Sequence, residues 1–118
     1  GRSRLVSSPL AKILSSKSYN ANVTVIHSKT SNQKQFITQA DIFISAVGSA
    51  KLYDSSYFKQ GATIIDIGIS SVDGKTYGDI DTQNISEVAS YRSPFPGGVG
   101  PITVSALFFN LSRLVKTN

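Results

Sequence analysis

The sequence predicts an α/β domain built as a Rossmann-like, doubly wound, mostly parallel sheet. Three observations lead there. Short, nearly all-apolar runs at 22–27, 40–47 and 61–67 alternate with segments of helical character, the pattern of a parallel sheet covered on both faces. Two of those runs close on glycine, at Gly48 and Gly68, and strand ends at the carboxyl edge of such a sheet line its ligand crevice. A rigid run, Ser93-Pro94-Phe95-Pro96-Gly97-Gly98-Val99-Gly100-Pro101-Ile102-Thr103, then delivers the chain onto an apolar closing helix.

Each element has a local reason. Leu10, Ala11, Ile13 and Leu14 share one face of a helix within 4–18, capped by Ser7 or Ser8, with Pro9 at its first position and Tyr19-Asn20 at its end. Residues 22–27 are β-branched and short, so they read as a strand, and the polar loop 27–32 follows. Residues 33–39 form a short, weakly amphipathic helix. Residues 40–47 are the second strand, 54–59 a helical turn, and 61–67 the third strand. Asp73-Gly74 and Gly78-Asp79 mark a turn or small hairpin within 70–81. Residues 85–88 make one helical turn, 89–93 a last short strand, and 102–116 the closing helix. The 93–103 run holds three of the four prolines and three of the nine glycines, which argues against helix or regular strand there. Pro101 lies near the first turn of the helix behind it, where its missing N–H costs nothing.

The 118 residues suffice for one core and one domain, and 40% hydrophobic with 16% charged residues suits a globular chain. With no cysteine and a single histidine, neither a disulfide framework nor a metal site is expected. No apolar run is long enough to span a bilayer and no signal-peptide pattern opens the chain, so the expectation is a cytoplasmic protein with no membrane partner. There is no methionine, and Gly1-Arg2-Ser3 reads as the middle of a loop, so the chain is expected to begin at an internal point of a longer one. The net charge of +5 is uneven: residues 1–40 carry Arg2, Arg4, Lys12, Lys17, Lys29 and Lys34 and no acid. Such a basic third is either a solvated face or a phosphate-binding one. Scattered cations, few aromatics among them and no nucleic-acid motif point away from nucleic acid.

Several stretches suit chemistry. Gly1-Arg2-Ser3 ahead of a helix offers backbone N–H groups and a guanidinium to a phosphate; the alternative is a cap and a surface arginine, and the usual G-x-G-x-x-G fingerprint is absent. An NAD-binding Rossmann fold places an acid after an early strand, whereas His27-Ser28-Lys29-Thr30 has no carboxylate. A hydroxyl and a cation there suit a 2′-phosphate, favouring NADP over NAD. Gly48 and Gly68 let a nicotinamide or ribose pack on backbone, or simply end strands. Gly97-Gly98 admits a ligand close to the chain with a helix N-terminus behind it, or is a plain strand-to-helix turn. Asp41 and Asp66 read as capping groups or partners of the next loop, with catalytic carboxylates as the alternative. His27 has no carboxylate nearby in sequence to make it a general base.

Pro96-Gly97-Gly98-Val99-Gly100-Pro101 followed by Ile102-Thr103 resembles the folate-site signature of the methylenetetrahydrofolate dehydrogenase/cyclohydrolase (FolD) family. Other segments agree in order and spacing: Gly1-Arg2-Ser3 with Val6 and Pro9; His27-Ser28-Lys29-Thr30; Ala40-Asp41-Ile42 with Ala46-Val47-Gly48; Gly61-Ala62 through Asp66-Ile67-Gly68-Ile69; Gly78-Asp79-Ile80-Asp81; and Asn110. The resemblance implies the NADP-binding domain of a bifunctional enzyme that oxidises 5,10-methylenetetrahydrofolate and hydrolyses the methenyl product to 10-formyltetrahydrofolate. Carried over, Gly1, Arg2, Ser3 and Ser28 hold the cofactor, with Arg2 and Ser28 at its 2′-phosphate. Val47, Gly48, Gly68 and Ile69 pack along its ribose–nicotinamide end, and Pro96, Gly97, Gly98, Val99 and Gly100 face the folate.

Two departures stand out. Ser7 occupies a position where the family usually has glycine. The family's catalytic lysine and tyrosine and a folate-binding aspartate belong to an N-terminal domain absent from this chain, as is the central strand expected ahead of Gly1. No catalytic residue is therefore assigned here, and no turnover by the chain alone is expected; the full-length parent is expected to be a homodimer. Two competitors are another NADP-dependent Rossmann oxidoreductase, of the shikimate dehydrogenase type, and a non-catalytic nucleotide-binding module. The first leaves Pro96–Pro101 unexplained.

Overall fold

The structure is a computed structural model and describes residues 1–116. Its elements in chain order are α1 (Ser7–Leu14), α2 (Gln33–Gln39), β1 (Ile42–Ser45), β2 (Ala62–Asp66), β3 (Ser70–Val72), β4 (Lys75–Tyr77), β5 (Ala89–Arg92) and α3 (Val99–Lys116), with 3-10 turns at Ser55–Tyr57 and Ile85–Glu87. β2 is central, with β1 on one side and β5 on the other, both parallel to it. The β1–β2 register runs from Ile42 opposite Thr63 to Ser45 opposite Asp66. The β2–β5 register slips between Ala62 and Thr63.

The period of two explains what β2 does. Ala62, Ile64 and Asp66 point into the protein, and Thr63 and Ile65 between them are less covered. Ala62 and Ile64 join Ile37 of α2, Phe43 of β1, and Tyr53, Phe58, Ile80 and Ile85 from the connections in one buried cluster. Phe43 sets its ring edge-on to Tyr53 at 5.1 Å and tilted on Phe58 at 5.3 Å, geometry that aromatic quadrupoles favour. β3 and β4 form the expected hairpin. Asp73 (φ 50°) and Gly74 (φ 75°) both adopt the left-handed conformation that a two-residue type I′ turn requires.

Four expectations need correction. Residues 22–27 are not a strand: no residue from Asn20 to His27 belongs to a ladder among the described residues. Their β-branching keeps them extended, but a strand needs a neighbour with which to exchange hydrogen bonds. Between them and β1 lies a cavity of about 580 Å³, lined by Val23 and Val25 on one side and Ile42 and Ile44 on the other. The first helix is shorter than 4–18 and is capped by neither serine; its N-cap is Val6, with no side-chain cap, and Pro9 is its third residue. A proline is tolerated there because first-turn N–H groups have no intrahelical acceptor. It ends at Leu14, well before Tyr19-Asn20. For the same reason α3 absorbs Val99, Gly100 and Pro101, so the end of the proline–glycine run is helical after all. Finally, the sheet expected to be covered on both faces gains no cover from α3: none of its residues is buried, and Ile102, Leu107, Phe108 and Leu114 are 70%, 67%, 66% and 66% exposed. No described helix is long and apolar enough to cross a membrane.

Candidate functional site

Because β1, β2 and β5 are parallel, their carboxyl ends open on one edge, and the loops that follow them meet there. What fixes those loops is a pair of buried carboxylates. Asp79, fully buried, accepts hydrogen bonds at Oδ2 from the Ser45 hydroxyl (2.6 Å) and the Val47 N–H (2.7 Å). Its Oδ1 accepts from the N–H groups of Gly48 and Ser49, both at 2.9 Å. Asp66, at the end of β2, accepts at Oδ1 from the N–H groups of Gly68 and Asp79, each at 3.1 Å, and at Oδ2 from the Ile80 N–H, also at 3.1 Å. One carboxylate thus holds the loop after β1, and the other holds the chain that carries the first.

Burial pushes the Asp66 carboxyl above its ordinary value, and the neighbouring Asp79 charge adds to this, while the three N–H donors pull the other way. With its acceptors committed to backbone, Asp66 serves as a partner of the next loop, the reading preferred from the sequence. Asp41 also serves locally, paired with the Lys59 ammonium.

Glycine is demanded where the clasp closes. A Cβ on Gly68 would lie 2.0 Å from Asp79 Cγ, so the side-chain space at Gly68 is filled from within the protein. Gly48 has φ 76°, and a Cβ there would stand 3.5 Å from the Ile69 carbonyl oxygen, which places the loops after β1 and β2 side by side. Val47 and Ile69, 49% and 65% exposed, present their side chains outward from these loops.

The segment Gly1-Arg2-Ser3 abuts the same edge. A Cβ on Gly1 would lie 3.7 Å from the Ala46 carbonyl oxygen and 3.1 Å from Ser7 Oγ, so the Ser7 hydroxyl sits beside Gly1. The Gly1 amino group donates to the Ile26 carbonyl (2.6 Å), tying this segment to the chain just ahead of Ser28. The Ser3 carbonyl accepts from the Ser8 N–H at 2.9 Å and its hydroxyl from the Leu5 N–H at 3.2 Å. Arg2 and Ser28 are exposed. The loop around Ser28 is fastened by His27: its N–H donates to Thr30 Oγ1 (3.0 Å), its Nδ1 accepts from the Lys29 N–H (3.2 Å), and its carbonyl accepts from the Gln33 amide (3.1 Å). His27 is a loop anchor here.

The run after β5 joins the edge through two contacts. Ser93 Oγ accepts from the Asp66 N–H at 2.8 Å, and the Phe95 ring lies 3.2 Å from where a Cβ on Gly78 would be. The Phe95–Pro96 peptide is cis, and Gly97 has φ 92°. Gly98 folds back on Pro94, whose carbonyl oxygen would be 2.2 Å from a Cβ there. Pro96, Gly97 and Gly98 precede α3, and Val99 and Gly100 begin it. The sequence assigns no role to Asp79, Ser45 or Ser49, although Gly78-Asp79 reads as turn chemistry and Gly78-Asp79-Ile80-Asp81 is among the segments that carry the resemblance. Their partners lie 30–34 residues away, beyond any local pattern.

A parallel sheet with glycine-bearing loops over its carboxyl edge, beside a basic loop without carboxylates, is the architecture of a nucleotide-binding α/β domain. Residues 1–118 match the family described as tetrahydrofolate dehydrogenase/cyclohydrolase, NAD(P)-binding domain, and the chain belongs to that family. It is 45% identical over 116 residues to the bifunctional protein FolD of Halalkalibacterium halodurans, covering 98% of this chain and 41% of that protein. The FolD methylenetetrahydrofolate dehydrogenase/cyclohydrolase of Campylobacter jejuni superposes with a TM-score of 0.92 at 37% identity, over 99% of this chain and 41% of that one. The Trypanosoma brucei enzyme, solved with NADP cofactor and inhibitor, superposes at 0.83 with 35% identity, over 93% and 39% of the two chains. These likenesses establish the Rossmann-like α/β fold class. The chain spans about two fifths of the relatives it matches (41% of the first).

Proposed function

We propose that residues 1–118 are one NADP-binding unit of an enzyme that oxidises 5,10-methylenetetrahydrofolate to 5,10-methenyltetrahydrofolate and hydrolyses this to 10-formyltetrahydrofolate. The observation that carries the reading is the family match along the whole chain. The chemistry of the site agrees with it. The exposed Arg2 guanidinium, with Ser28 and Lys29 in a loop free of carboxylates, suits a 2′-phosphate and repels nothing anionic. Gly1 and Ser3 line the approach from α1. Val47, Gly48 and Ile69 form the floor for the ribose–nicotinamide end, and Gly68, expected there too, is buried and serves it from beneath by leaving room for the Asp79 carboxylate. Pro96, Gly97, Gly98, Val99 and Gly100 lie on the folate side. NADP, when bound, supplies the hydride acceptor; this chain's residues bind and orient it, and the proton-handling groups belong to the rest of the protein.

In this reading the whole protein is a cytoplasmic homodimer acting on tetrahydrofolate derivatives, with no nucleic acid or membrane as partner, and the 118-residue chain alone has no turnover. The test is reduction of NADP and of NAD by the full-length protein with 5,10-methylenetetrahydrofolate, for wild type and Arg2→Ala. Folate-dependent reduction that prefers NADP, with a raised NADP KM in the variant, is the expected result. Absence of folate-dependent reduction, or preference for NAD, would overturn it.

A further inference from the structure

We infer that Asp79 is the positioning residue for the dinucleotide: its carboxylate holds the Val47–Ser49 loop in the shape on which the cofactor packs. This deepens the proposed function and rests on it. The sequence offers Val47, Gly48, Gly68 and Ile69 as four separate contacts. In the structure they are parts of one device with Asp79 at its centre. Three consecutive N–H groups, at Val47, Gly48 and Ser49, converge on its two oxygens at 2.7, 2.9 and 2.9 Å. Consecutive backbone N–H groups turned to one point form an anion-binding nest. Here the nest is filled by the protein's own carboxylate, so it does not receive a phosphate. It offers the cofactor the other face of the loop, where Val47 is 49% exposed.

The device is locked from behind. Asp66 takes the Asp79 N–H and the Ile80 N–H, fixing the backbone from which the Asp79 side chain springs. Gly68 leaves room for that side chain, since a Cβ there would stand 2.0 Å from its carboxylate carbon. Asparagine at position 79 keeps the shape but offers one acceptor oxygen instead of two. Its amide group would face N–H donors, and at least one loop amide would lose its partner. The loop then samples other conformations, and the cofactor must select the competent one, which weakens binding without touching the hydride-transfer step.

The experiment uses the full-length protein. Asp79→Asn is expected to raise the KM for NADP about tenfold while kcat changes by less than about threefold. The core variant Ile85→Ala, at a fully buried residue that makes none of the hydrogen bonds to the loop, is expected to lower the melting temperature and serves as a control for mere destabilisation, with NADP KM expected within about twofold of wild type. An Asp79→Asn protein with wild-type NADP KM, or an equal KM increase in both variants, overturns the inference. Hydrogen exchange in the wild type keeps it falsifiable should Asp79→Asn not fold: the Val47, Gly48 and Ser49 amides are expected to be protected although the loop is exposed, and unprotected exchange there overturns it. If the wild type fails to reduce NADP with the folate substrate, the proposed function falls, whatever the amides show.

Discussion

Gly78 and Asp66 stand so close that a Cβ on Gly78 would lie 2.1 Å from Asp66 Oδ2, with the Phe95 ring 3.2 Å away on another side. The glycine is buried, and the carboxylate it faces is engaged by three N–H groups, so neither can retreat cheaply. Gly78→Ala should therefore cost about 1–3 kcal/mol, the range for overpacking a filled interior. Gly100→Ala, where nothing lies within 4 Å of the added Cβ, should leave stability unchanged or raise it. Denaturant midpoints of the two variants check the contrast.

Asp66 also sets a pH dependence. Burial raises its native-state pKa above the ordinary value of 3.8, so the native protein holds this proton more readily than the unfolded chain does. Its contribution to stability is then complete below 3.8 and is lost as pH rises through the raised native value. Asp66→Asn removes that titration. Urea unfolding at stepped pH should show the wild type gaining on the variant as pH falls across the window. A gap that does not change with pH would refute this. Asp41, drawn down by its hydrogen bond and ion pair with Lys59, runs in the opposite sense but is fully exposed and screened by solvent.

The aromatic trio marks where the folding energy lies. Phe43 is 8% exposed and touches both Tyr53 and Phe58, so Phe43→Ala should cost about 3–5 kcal/mol. Leu107→Ala, at a residue 67% exposed on α3, should shift the stability of this 118-residue chain by no more than about 0.5 kcal/mol. Equal losses at both positions would mean that α3 packs on the sheet after all.

In the proposed reading, cofactor choice turns on Ser28. Ser28→Asp in the full-length protein places a carboxylate where the 2′-phosphate is proposed to lie. It should weaken NADP at least about tenfold relative to NAD, through like-charge repulsion and loss of a hydroxyl donor. Dissociation constants for both dinucleotides measure it.

The parts of the fold that were legible in the sequence are those decided locally. Residues 33–39 became α2 with the expected bounds, and Ile42–Ser45 and Ala62–Asp66 lie inside the apolar runs that announced them. Asp73-Gly74 could only turn. Residues 22–27 misled because β-propensity describes a chain suited to a sheet and cannot supply the neighbouring strand. Helix starts misled because proline and glycine, poor in a helix interior, cost little in a first turn. The candidate contact residues were visible as glycines and as a carboxylate-free loop. The clasp that shapes them was not, since Ser45 and Asp79 are 34 residues apart and only the folded sheet brings them to 2.6 Å.

β1 ends the sheet on the side of the cavity, and one row of its backbone N–H and C=O groups meets no strand among the described residues. Such a row is a template, and any extended chain that reaches it can complete a ladder. Ile42, 59% exposed at that margin, gives an incoming chain something apolar to settle on. Handling the isolated 118-residue chain is thus a contest between refolding and strand exchange among copies. Recovery should fall with protein concentration well before it falls with temperature, and a short β-forming peptide added in excess should act as a chain terminator that keeps the copies apart.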